Sequence, residues 1–136
     1  MADKPAQAPP PDGRPTFHPV RAPIVLVAGG PDELVDAARR ACGVESPSIA
    51  VEACGALATA STAARLRPFA LVLSQDIYAF DPDEFTALAR DVQAELIVLK
   101  VSKSTATFLE QALRPSLRNA FRRYRTETES GPVRRG

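Results

Sequence analysis

The sequence predicts an α/β fold: a parallel sheet of about four strands with helices on both faces. Short apolar runs rich in β-branched residues alternate with segments of helical period, and the run-to-helix order repeats four times. Each connection between runs is long enough for a crossover helix, and such crossovers are right-handed, so neighbouring strands should be parallel. The 136 residues match the length of a single domain.

The first strand covers 24–27, where Ile24, Val25, Leu26 and Val27 form an unbroken apolar run between Pro23 and Gly29-Gly30. Continuous apolarity marks a strand buried on both faces. From Asp32 the period changes. Leu34, Val35, Ala38, Ala41 and Cys42 follow helical spacing, Asp32 and Glu33 occupy the first turn where the helix dipole favours acid, and Gly43 is expected to end the helix. A second strand covers 49–51, an alanine-rich helix over 56–66 stops before Pro68, and a third strand covers 69–73. Asp81-Pro82-Asp83-Glu84 supplies an N-cap, a proline at the first helical position and an acid at the third. The helix that it opens has Phe85, Leu88, Ala89 and Val92 as its core stripe. A fourth strand covers 96–101. The last helix starts near Ser104 with Phe108, Leu109, Ala112 and Leu113 on one side. Pro115 should kink or restart it before Leu117, Ala120, Phe121 and Tyr124.

Charge and proline are unevenly placed. Seven of the 13 prolines lie within residues 1–23, which reads as a disordered, proline-rich leader. Residues 114–136 hold seven arginines against Glu127 and Glu129, while residues 1–113 carry a net charge of −4, so the overall +1 conceals an acidic body and a basic tail. The expected organisation is a leader (1–23), one domain with a basic C-terminal helix (24–125) and a disordered basic tail (126–136). No apolar run approaches a membrane span and no signal peptide is evident, so a cytoplasmic chain without membrane insertion is expected. Cys42 and Cys54 fit neither a metal motif nor a disulfide framework and read as reduced thiols. His18, the only histidine, lies in the leader, so no catalytic or metal site can be assembled around a histidine pair. No catalytic residue, cofactor or metal is expected.

The segment Ile24-Val25-Leu26-Val27-Ala28-Gly29-Gly30-Pro31 resembles the first strand and loop of response-regulator receiver domains. The stretch from Ala53 to Ser74, with Arg67-Pro68-Phe69-Ala70-Leu71-Val72-Leu73-Ser74 at its end, resembles that family's second helix and third strand. The resemblance covers residues 24–113 and implies a flavodoxin-like sheet of order 2-1-3-4, with the family's fifth strand missing. It also implies where a phosphorylation site should be, and here that site is degenerate. Ala28 and Gly29 stand where the family has Mg²⁺-binding carboxylates. Ser74 or Gln75 stands at the phosphoacceptor with Asp76 one or two residues late, and Lys100 is nearest the hydroxyl position. Without clustered oxygen ligands a hard cation is not held, and the charge of an incoming phosphoryl group is not neutralised. The resemblance is therefore to a pseudo-receiver: a non-enzymatic, phosphorylation-independent module acting through protein contacts.

Several interaction surfaces are candidates. Residues 75–80 carry Ile77, Tyr78 and Phe80 at the carboxyl end of the third strand, either as a contact surface or folded back over the sheet. The strand 96–101 is an apolar edge whose unpaired peptide groups beside Leu96, Val98 and Val101 either pair with a second copy, flanked by Phe108, or are covered by the last helix; Ile97 and Leu99 either join that contact or face the core. Arg118, Arg122 and Arg123 belong to an arginine-rich helix that suits a nucleic acid, an acidic protein or an anionic surface, and equally suits simple solvation. Gly29-Gly30 before a helix is either a tight turn or a site for a small anion or nucleotide, although Asp32 and Glu33 oppose an anion.

Overall fold

The computed structural model describes residues 22–101 and 105–130 of the chain. The leader as far as residue 21, His18 included, and residues 131–136 of the tail lie outside the described residues. Four parallel strands form one sheet: β1 (Ile24–Ala28), β2 (Ala50–Cys54), β3 (Ala70–Ser74) and β4 (Glu95–Leu99). Their order is β2-β1-β3-β4, a flavodoxin-like arrangement, and among the described residues no fifth strand joins them. β1 and β3, the central pair, are almost wholly buried, as their unbroken apolar sequences require.

Helices cover both faces. On one face lie α1 (Asp32–Glu45) and α5 (Ala106–Ser130). They enclose Val25, Val27, Phe69, Val72 and Ile97 together with Leu34, Leu109, Leu113 and Leu117. Each of those buried leucines contributes about 1.5–3 kcal/mol relative to an exposed one. Phe69 stands 5.6 Å from Phe121 and 5.3 Å from Tyr124, extending this core below β3. On the other face α2 (Thr59–Leu66), preceded by a 3₁₀ turn (Ala56–Ala58), and α4 (Pro82–Val92) pack over Leu26, Ala28, Leu71 and Leu73. A single turn, α3 (Gln75–Tyr78), follows β3 directly.

Several boundaries differ from the sequence reading. α1 passes through Gly43 and ends before Ser46, whose φ of −168° and ψ of 134° are extended because Pro47 disfavours a helical residue before it. Pro115 does not restart the last helix: α5 is continuous, with Leu113 and Leu117 buried on either side of the exposed proline. Thr105 caps its start, accepting the Phe108 amide at 3.1 Å; Ser104 lies outside the described residues. The helix runs on to Ser130, into the stretch read as a disordered tail. The predicted cap of α4 is present, with Asp81 Oδ1 accepting the Glu84 amide at 3.3 Å.

At β4 the two side chains offered as an interaction surface take the core-facing alternative. Ile97 is 5% exposed and Leu99 packs beside it, both toward α1 and α5, so their side chains belong to the core and offer no interaction surface. Among the described residues, the edge that no strand pairs with is one of backbone. The Glu95 amide donates to the Phe69 carbonyl of the β3 side at 2.8 Å. By strand alternation the peptide groups of Leu96 and Val98 then point outward, away from β3.

Candidate functional site

The carboxyl ends of β1 and β3 are where open parallel sheets place ligands. Here they are closed by apolar side chains. Ala28, fully buried, pairs in register with Cys54 on one side and Leu73 on the other. Gly29 follows with φ of +66°, a left-handed conformation that favours glycine, and its amide donates to the Cys54 carbonyl at 2.8 Å. A Cβ on Gly29 would meet Ala56 Cβ and the Ile77 side chain, each at 3.2 Å, so Ile77 stands over the turn. Gly30 is equally constrained, since a Cβ there would fall 2.5 Å from a methyl of buried Leu34. The tight-turn reading of Gly29-Gly30 describes this geometry.

Ser74, at the end of β3, is 7% exposed, and its Oγ accepts the Ile77 amide at 3.3 Å. Its hydroxyl is thus committed to capping α3. Gln75 and Asp76 project into solvent from that turn, and Lys100 follows β4 at the surface. Among the described residues no three His, Cys, Asp or Glu side chains converge as metal ligands.

Beside this closed edge lies an open apolar groove. It encloses about 360 Å³ between α2 and α4 and is lined mainly by Ala56, Leu57, Ala60, Ile77, Phe85 and Leu88, with Phe80 at its rim. Its α2 side is formed by Ala56 and Leu57 of the 3₁₀ turn with Thr59 and Ala60, and its α4 side by Phe85 and Leu88. Leu57 is fully exposed and Phe80 is 84% exposed, whereas Ile77 and Tyr78 are half-buried against the core. Tyr78 is further held by its hydroxyl, 3.1 Å from Thr86 Oγ1. Residues 75–80 thus split: Ile77 and Tyr78 fold back, and Phe80 is presented. The sequence reading missed Leu57. Its signal was available, because Leu57 lies off the Thr59, Ala63, Leu66 stripe that α2 buries.

The remaining candidates lie on the other face. Phe108 is 58% exposed near the start of α5. Arg118, Arg122 and Arg125 line an open groove with Phe121 and Glu45; Arg118 Nε pairs with Glu45 at 3.2 Å, and Arg123 pairs with Glu95 at 2.6 Å. The arginines and the buried Leu117, Ala120 and Tyr124 thus occupy different sides of α5. Cys42 is 1% exposed, and burial, reinforced by the Glu45 charge, pushes its thiol up to about 12. No described helix is long and apolar enough to cross a membrane. Comparison with protein-family models, curated proteins and solved structures finds no match for this chain.

Proposed function

We propose that the chain is a non-enzymatic, receiver-like module that works by protein contact, independently of phosphorylation, in a cytoplasmic regulatory assembly. The observation that carries this reading is the filled carboxyl edge. Ala28 and Gly29 offer no carboxylate, Ser74 is occupied as a helix cap, and Ile77 covers the turn where a cation and a phosphoryl group would have to sit. Incubation with Mg²⁺ and acetyl phosphate, or with beryllium fluoride, should leave the mass and the amide spectrum unchanged. A stoichiometric acid-labile phosphoryl group on Asp76 would overturn the reading.

Self-pairing belongs to the same proposal, because the outward peptide groups of Leu96 and Val98 offer an open strand edge. A second copy that joins there about a two-fold axis gives a homodimer, visible by sedimentation at tens of micromolar. Val98→Pro, which removes an outward donor and leaves the β3 ladder intact, should convert it to monomer. A wild type that sediments as a monomer rejects the pairing. Two alternatives draw less support. An arginine surface for nucleic acid or anionic membranes has Arg118 and Arg123 already paired with acids. An anion site at Gly29-Gly30 has its first amide committed to Cys54 and Ile77 standing over it.

A further inference from the structure

The groove between α2 and α4 has a chemistry specific enough to name its occupant. We infer that it receives an amphipathic helix of a partner protein, whose apolar stripe is accompanied by lysine or arginine at one end. This inference rests on the contact-module reading above and assigns its surface.

The first argument is apolar exposure. Leu57 and Phe80, both far out in solvent, flank a trough whose sides are Ile77, Phe85 and Leu88. Val44 and Phe108 are also exposed, but singly, whereas Leu57 and Phe80, the two most exposed large apolar side chains among the described residues, lie at one groove, the usual mark of a helix-in-groove contact. Shape is the second. α4 lines the groove from Asp81 to Leu88, about 10 Å along its axis, which matches about two turns of an incoming helix. Its anchors would fall at positions i, i+3 or i+4, and i+7.

Charge decides the rest. Among the described residues, the only charged ones that line the groove are carboxylates, Asp81 and Glu84, both at the amino-terminal end of α4. Asp76 and Asp83 are exposed on the same end of the molecule. The dipole of α4 offsets about half a unit charge there, which leaves the end strongly negative. At the far end, Arg65 and Arg90 occupy the last turns of α2 and α4. An occupant with basic residues at both ends would meet Arg65 and Arg90, and an acidic one would meet Asp81 and Glu84. The complementary ligand is apolar along one stripe and basic at the end that meets Asp81 and Glu84.

The test titrates the full chain into a labelled synthetic helix of about 12 residues, with leucine and phenylalanine on one stripe and lysines at one end. Fluorescence anisotropy reads affinity and amide shifts read location. Binding should saturate, with shifts at Leu57, Ala60, Ile77, Phe80 and Leu88. Leu57→Ser with Phe80→Ser should weaken it by about tenfold or more, and Glu84→Lys should weaken it and flatten its salt dependence. Because Leu57 and Phe80 are exposed, the double variant should melt as the wild type does. Equal binding by a scrambled peptide of the same composition overturns the inference, as do shifts confined to α1 and α5, undiminished affinity in the double variant, or no binding. Those outcomes leave the phosphorylation test untouched, and phosphoryl uptake at Asp76, read by mass on the chain without peptide, would defeat the module reading independently of the peptide titration.

Discussion

On the α1/α5 face of the sheet the inward side chains are closed off: Leu34, Leu109 and Leu113 are 0% exposed and Leu117 is 1% exposed. On the α2/α4 face, Leu26, Leu71 and Leu73 are equally buried, yet Leu57 and Phe80 are left outside and a groove runs between the helices. Both faces use the same strands, so the difference lies in the helices. α5 has 25 residues, long enough to overhang five-residue strands, and it supplies a leucine at 109, 113 and 117. α2 has eight residues and offers mostly alanine, serine and threonine. The long leucine-bearing helix covers its side of the sheet and carries a groove lined by arginines, whereas the side of the short alanine-rich helix carries an apolar one.

The sharpest test of that contrast is to cut into the sealed face. Leu113→Ala should cost about 2–5 kcal/mol in urea denaturation, since the cavity it leaves has no route to solvent. Cys42 probes the same face through pH. Its thiol is raised from the ordinary 9.0 to about 12 in the folded chain, so the neutral form is the one that folding favours. Below about pH 9 both states hold the proton and the contribution is complete; as pH rises toward 12 the unfolded chain ionises first and the contribution is lost. Stability should therefore fall by up to about 1.4 kcal/mol per pH unit in that window, and the slope should flatten in Cys42→Ala. The open face predicts the smallest effect. Leu57→Ser should change stability by less than about 0.5 kcal/mol, and a loss of several times that would show the groove to be closed.

Elements whose signals are local were legible in the sequence. The apolar runs gave β1 and β3 to within a residue, and Asp81-Pro82 placed the start of α4, because a cap and a proline act through the backbone beside them. Signals that compete with packing were misread. Gly43 looked like a helix end, but Ala41 and Cys42 are held in the core and the effective stop is Pro47. Pro115 looked like a break, but the leucines around it hold α5 together. At the candidate site, the loss of carboxylates at Ala28 and Gly29 could be read directly. The groove could not, because its lining comes from segments far apart in the chain, residues 56–60 and 77–88. Which way Ile97 and Leu99 turn stayed open for the same reason: strand order says which strand is last, but not which way its side chains point.

The order in which the chain emerges during synthesis gives the long last helix another meaning. β1, the second strand in the sheet, is made first, and its neighbour β3 arrives more than forty residues later. The helix that seals one side comes last. Until Leu109, Leu113, Leu117 and Tyr124 have left the ribosome, Val25, Val27, Val72 and Ile97 have only α1 to shelter them. Every strand pairing is between distant segments, a topology that folds slowly and exposes its core while it does. Released chains truncated before Tyr124 should therefore be the ones that chaperones hold, and release from them should require Tyr124 packed against Phe69.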